Sequence, residues 1–194
     1  MQIFWLQGIG LLVFILGTLV AGIALRAKGW AVGAQSAGQV LFVLGLLLPQ
    51  VVGVVWPGLD NFDGLLGTHG LGFTPYLQVL GAILLVLGIT LLVVANRALA
   101  RGGNGLLGLG LPGRLVVDDV YARMRHPLAL GYYLILTGAA LAADSRVLLA
   151  GAVVLTTPAH LFYLRFVEEP ALARLHGAAY QDYQARAPFV LPQG

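Results

Sequence analysis

The sequence predicts an all-α integral-membrane helical bundle: five transmembrane helices, the last two a helical hairpin, then a C-terminal amphipathic helix. Three observations carry this expectation. Of the 194 residues, 59% are hydrophobic and only 10% charged, where a soluble domain carries about 25% charged residues. Apolar runs long enough, or nearly long enough, to cross hydrocarbon recur along the chain. Ten of the eleven Lys and Arg residues lie in three segments at the ends of those runs, which is how membrane orientation is encoded. The chain reads as one membrane domain, 1–194, with 1–100 a three-helix scaffold and 101–194 the half that carries chemistry.

The first run, Ile3–Leu25, is too long for the apolar core of a signal peptide, and no basic residue precedes it, so it reads as a retained span. At 1.5 Å per residue it covers about 34 Å. Arg26 and Lys28 end it, and Gly33 to Gly38 is a polar break. The second run, Gln39–Trp56, contains Pro49, expected to kink it, and Gln50, which reads as interhelical glue. Pro57 to Thr74 is a loop without Lys or Arg. Its Asp60, Asp63 and His69 read as solvated residues, and Trp56, Phe62 and Phe73 as an interfacial belt.

The third run, Pro75–Leu99, opens with a first-turn proline and ends near Asn96, Arg97 and Arg101. A glycine-rich stretch, Gly102 to Val120, follows. Within it Gly108, Gly110 and Gly113 match a dinucleotide-binding string, but no strand precedes them and no βαβ unit follows, so the string carries no weight. The fourth run starts at Pro127 and reaches about Ala143, a length at the lower limit for crossing. Asp144-Ser145-Arg146 is a tight turn in which Asp144 or Ser145 caps the next helix. The fifth run, Val147–Phe166, contains Pro158, a second expected kink. Glu168-Glu169-Pro170 is expected to start a new surface helix, with Leu172, Leu175, Ala179 and Tyr183 on its apolar face and Pro188 at its end.

Arg26 and Lys28, then Arg97, Arg101, Arg114, Arg123 and Arg125, then Arg165, Arg174 and Arg186 occupy alternate segments, and the opposite side holds only Arg146. The positive-inside rule then sets the N-terminus outside and the C-terminus in the cytoplasm, with five passes. A bacterial inner membrane is the expected location. The net charge of +3 follows from this distribution and gives no nucleic-acid face. With no cysteine there is neither a disulfide framework nor a thiolate metal site, and no nucleophilic triad is present.

Two polar clusters then fall on the cytoplasmic side: Arg125-His126-Pro127 where the fourth run opens, and Arg165 with Glu168 and Glu169 where the fifth closes. Taken singly, each has an ordinary reading as a packed histidine, an orientation-setting arginine or helix N-terminal carboxylates. Together, ionisable groups at the edge of hydrocarbon point to function. A turn as short as 144–146 makes the two helices antiparallel neighbours, so the clusters are expected to meet and serve one small ligand.

The residues Tyr121-x-x-x-Arg125-His126-Pro127-x-x-x-Gly131 resemble the Y-x-x-x-R-H-P-x-Y-x-G signature of the integral-membrane methyltransferases. These include isoprenylcysteine carboxyl methyltransferase and the phospholipid N-methyltransferases. The second signature is similar to Glu168-Glu169-x-x-Leu172, Gly177-x-x-Tyr180-x-x-Tyr183, Pro188 and Pro192. The resemblance covers Gly102 to Pro192, roughly half of the chain. It implies S-adenosylmethionine as methyl donor and a lipidic or small hydrophobic acceptor drawn from the bilayer, with no metal and no nucleic acid. By position it implies donor contacts at Leu115, Val116, Tyr121, His126, Pro127, Leu128, Ala129 and Gly131 and at a glutamate of the pair Glu168 and Glu169. It implies a substrate-side arginine at Arg165, and catalytic work shared among Arg165, Glu168, Glu169, Arg125 and His126. Four positions depart from the pattern: Ala129 stands at a usual tyrosine, Asp119 at a glycine, His176 at an aromatic and Phe189 at an arginine. Two alternatives stay open: a sterol-reductase-like, NADPH-dependent membrane oxidoreductase, and a catalytically silent structural protein of the same fold.

Overall fold

The structure is a computed structural model that describes residues 2–24, 38–55, 70–72, 74–102 and 114–192. Arg26, Lys28, Trp56, Asp60, Phe62, Asp63, His69, Phe73 and the glycine string at 108–113 lie outside the described residues. Among the described residues there is no strand. Helix α1 is Gln2–Ala24, α2 spans residues 38–55, and α3 is Thr74–Arg101. A 3₁₀ turn at Asp119–Ala122 leads to α4, Pro127–Ala142. Helix α5 is Arg146–His176 and α6 is Ala178–Arg186. The segments Pro75–Arg101 and Arg146–His176 are long and apolar enough to cross a membrane, and Gly8–Val20, Gly38–Val52 and Pro127–Ala142 are shorter apolar helices. Large apolar side chains such as Leu12, Leu16, Val79, Ile83 and Val86 are exposed, the reverse of a water-soluble helix, and suit a hydrocarbon solvent.

Where lipid is as apolar as the side chains, helices associate by close backbone approach. Helices α3 and α4 do this through two glycine pairs. A Cβ on Gly81 would lie 2.6 Å from the carbonyl oxygen of Gly138, and one on Gly138 would lie 2.7 Å from that of Gly81. Seven residues along each helix, Gly88 and Gly131 repeat the contact at 2.8 and 3.1 Å. The order is antiparallel, so the start of α4 lies beside the C-terminal end of α3.

The in-helix prolines do not end their helices. Pro49, Pro158 and Pro170 each follow a π-helical turn, at Val43–Leu47, Gly151–Thr156 and Leu164–Glu168 respectively. In each case the residue four before the proline, whose carbonyl the ring would strike, falls inside the wider turn. The expected kinks are therefore met by local widening. For the same reason α5 runs unbroken through Glu168-Glu169-Pro170, and the helix expected to start there does not. The break comes at Gly177, whose φ of +56° suits a residue without Cβ. The break leaves Leu172 and Leu175 on α5 and Ala179 and Tyr183 on α6. Leu172 and Tyr183 are buried, but Leu175 and Ala179, expected on the same apolar face, are exposed.

Between α4 and α5, Ser145 is the residue that caps: its Oγ accepts from the backbone of Leu148 at 3.2 Å. Asp144 instead accepts from the backbone N–H of Leu71 at 2.8 Å, which ties the turn to the segment before α3. Two apolar clusters result. One joins Phe14, Phe42, Tyr132, Tyr133, Tyr163 and Val167 across α1, α2, α4 and α5. The other joins Ala95, Ala98, Tyr121, Leu172, Tyr180 and Tyr183 at the end that carries the polar groups.

Candidate functional site

Both polar blocks meet at the open end of the α4–α5 hairpin. His126 occupies the position just before α4, without a side-chain cap hydrogen bond, and Pro127 takes the first turn, where proline is favoured. The chain ahead of α4 is held by the C-terminal tail: the backbone N–H of Arg125 donates to the carbonyl of Pro188 at 2.9 Å, and that of His126 to Phe189 at 3.2 Å. Thus fixed, Arg125 reaches the last turns of two helices. Its Nη1 donates to the carbonyl of Gln184 at 3.0 Å, and its Nε lies 2.9 Å from Glu169 Oε1. On the other side of that carboxylate, Arg165 Nη1 donates to Oε2 at 2.7 Å, an i,i+4 contact across the π turn. His126 stands between the two acids, Nδ1 3.6 Å from Glu168 Oε1 and Nε2 3.6 Å from Glu169 Oε1. At those distances the imidazole makes an electrostatic contact rather than a hydrogen bond. Glu168 Oε2 accepts from Gln39 Nε2 of α2 at 2.7 Å.

The side chain of Glu169 is 2% exposed and that of Arg125 only 9%, while Arg165 is 60% exposed. A carboxylate this deep needs a partner charge, and two guanidiniums supply it. The Arg125 Nε contact is close enough for an ion pair, but its N–H is not directed at the oxygen. Arg125 Nε, Glu169 Oε1 and His126 Nε2 are consequently three buried polar atoms without a hydrogen-bond partner in one small volume. Buried polar groups are ordinarily satisfied; here the three face one another, Arg125 Nε and His126 Nε2 lying 2.9 and 3.6 Å from Glu169 Oε1.

Aromatic side chains surround the cluster. Phe189, at the position where the resemblance leads one to expect arginine, sets its ring edge-on to His126 at 4.9 Å and under the Arg125 guanidinium at 5.6 Å. The hydroxyl of Tyr183 donates to the carbonyl of Tyr121 at 2.7 Å and pins α6 to the turn before α4. Burial pushes the phenols of Tyr121, Tyr180 and Tyr183 well above their ordinary value, so they stay neutral.

Arg125, His126, Arg165, Glu168 and Glu169 therefore share one site. Leu115, Val116, Tyr121 and Leu128 belong to the apolar cluster beside it, with Tyr180 and Tyr183. Leu115 and Val116 also line a cleft of about 80 Å³ with Ala98, Arg101, Arg114 and Asp119. Pro127 is buried at the start of α4, and Ala129 packs into the other cluster with Tyr132 and Tyr133. Gly131 meets Gly88 and Leu92 of α3, so its contacts here are those of helix packing.

Sequence reasoning missed three features. Gln39 had only its place as a polar residue at the head of an apolar run to mark it. The tail at 188–189 pairs with Arg125 and His126 through backbone, which leaves no residue-type signal. His160 lies fully inside α5, its Nδ1 2.9 Å from the Tyr133 hydroxyl and its ring stacked on Phe42 at 3.6 Å. A histidine in the middle of an apolar run was the available sign.

The model of one protein family, phospholipid methyltransferase, matches residues 76–179, just over half of the chain. The match runs from the start of α3 into α6, and so takes in Arg125, His126, Arg165, Glu168 and Glu169. No curated protein matches the chain.

Proposed function

The chain belongs to the phospholipid methyltransferase family, and on that footing we propose that it is an S-adenosylmethionine-dependent membrane methyltransferase. Its acceptor is a lipidic or small hydrophobic molecule of the phospholipid amine or isoprenylcysteine carboxyl type. The observation that carries this reading is the convergence of Arg125, His126, Arg165, Glu168 and Glu169 at one end of the α4–α5 hairpin. The amino-acid end of S-adenosylmethionine offers an ammonium and a carboxylate, opposite in charge to the acid pair and to the guanidiniums respectively. The apolar residues Leu115, Val116, Tyr121 and Leu128, gathered beside the cluster, suit the adenosine end.

When bound, S-adenosylmethionine supplies an electrophilic methyl group on a sulfonium. The chain's part is to hold and orient. Glu168 and Glu169 set negative charge against the donor's cationic end, and Arg125 or Arg165 grips its carboxylate. His126 keeps its place between the two acids through the backbone bonds of residues 125 and 126. Methyl transfer would need the acceptor atom on line at about 3–3.5 Å from the methyl carbon, and the hairpin that carries the cluster would be the element that holds it there. The mostly exposed Arg165 sits at the rim, where an acceptor from the bilayer arrives.

In the same reading the protein makes five passes of a bacterial inner membrane, with its N-terminus outside and the polar cluster facing the cytoplasm. The basic residues at alternate segment ends support that orientation. The test is incubation of the purified chain with radiolabelled methyl donor and a host lipid extract, followed by identification of the labelled lipid. A labelled amine or carboxyl lipid is expected. A chain that neither binds S-adenosylmethionine nor labels any lipid overturns the proposal.

A further inference from the structure

Helix α2 lies outside the region matched to the family, yet one of its side chains reaches the acid pair. Gln39 is 9% exposed, and its Nε2 donates to Glu168 Oε2 at 2.7 Å across 129 residues of sequence. A carboxylate only accepts, so the amide must turn its NH₂ toward it. Two neighbours fix α2 at this register. Gly38 leaves no room for a Cβ against the ring of Tyr163. One turn on, Phe42 stacks on His160 at 3.6 Å with the rings 12° apart. Gln39 is thus held over Glu168 from both sides, and its amide is not a loose surface contact.

The two acids are treated differently. Glu169 faces two guanidiniums, whereas Gln39 orients Glu168 through a neutral donor and adds no positive charge. One oxygen of Glu168 is committed to Gln39, and the other lies toward His126 Nδ1.

We propose that Gln39 is a positioning residue of the methyl-donor site. It fixes the rotation of the Glu168 carboxylate and, being neutral, adds no positive charge of its own beside it. This rests on the reading of the site as one for S-adenosylmethionine, and it brings the N-terminal half of the chain into that site.

The test uses the purified full-length chain and four variants: Gln39→Met, Gln39→Lys, Glu168→Gln, and Gln39→Met combined with Glu168→Gln. Met keeps the length and removes the donor; Lys keeps a donor and adds a charge. Calorimetric titration with S-adenosylmethionine reads affinity, and thermal melting of the ligand-free protein reads folding. Gln39→Met is expected to weaken binding about tenfold. The same change in the Glu168→Gln background is expected to make no further difference, because its effect passes through that carboxylate. Gln39→Lys is expected to bind at least as weakly as Gln39→Met while melting close to wild type. Wild-type affinity in Gln39→Met or in Gln39→Lys overturns the inference, as does an undiminished Gln39→Met effect in the Glu168→Gln background. A wild-type chain that binds no S-adenosylmethionine overturns the functional reading itself.

Discussion

Replacing Glu169 by Gln removes one buried charge and keeps the shape of the side chain. The carboxylate is 2% exposed and touches Arg125, 9% exposed, and Arg165, 60% exposed. Breaking a buried pair by removing one member costs about 3–5 kcal/mol, because the other charge stays buried. Arg125 retains its bond to the Gln184 carbonyl and its place over the Phe189 ring, which puts the loss near the lower end, about 3 kcal/mol. The exposed Arg165 contact adds less than about 1 kcal/mol. For a chain of this size 1 kcal/mol moves the melting temperature by about 2–4 °C. Glu169→Gln should therefore melt about 6–12 °C below wild type, and Arg165→Gln less than about 4 °C below it. The assay is thermal unfolding of the ligand-free protein in detergent, followed by intrinsic fluorescence. Equal losses in the two variants, or a Glu169→Gln melt within about 2 °C of wild type, would refute the reading of Arg125–Glu169 as a buried ion pair that holds the segment before α4 against α5.

Under the proposed function, Gln at whichever of Glu168 and Glu169 takes the donor's ammonium should weaken S-adenosylmethionine binding by about 1.5–3 kcal/mol, the scale of a charge-assisted hydrogen bond. Calorimetry on both single variants checks this, and unchanged affinity in both removes the role. Gly138→Ala presses a methyl group onto the Gly81 carbonyl and should cost about 1–3 kcal/mol. Gly8→Ala, with nothing within 4 Å, should leave the melt unchanged or raise stability by up to about 1 kcal/mol. In this cysteine-free chain, Ala143→Cys should react with a membrane-impermeant thiol reagent in intact cells and Ala122→Cys should not. The opposite pattern reverses the proposed orientation.

Much of this protein is determined within short windows of sequence. Long uncharged runs can satisfy their backbone only as helices in a medium without water, so the apolar helices among the described residues follow from composition and run length. Pro127 starts α4 and Ser145 caps α5 because a missing N–H and a short hydroxyl suit those positions whatever surrounds them. The turn at 144–146 is short enough to force an antiparallel hairpin, and that alone carries His126 to Glu168 and Glu169.

Only the tertiary structure decided the rest. A proline in an apolar helix is met by a wider turn upstream, so Glu168-Glu169-Pro170 continues α5 where local rules start a new helix. That choice depends on packing along both sides of the segment. The different settings of the two acids, one between guanidiniums and one under a glutamine, arise from residues far apart in sequence and from a tail bound through its backbone. Gln39 shows why. A lone polar residue at a helix head has the same local signature whether it meets solvent, lipid headgroups or a carboxylate. Which of these it meets is set by how closely Gly38 lets α2 approach Tyr163, a contact between two helices that no window of sequence contains.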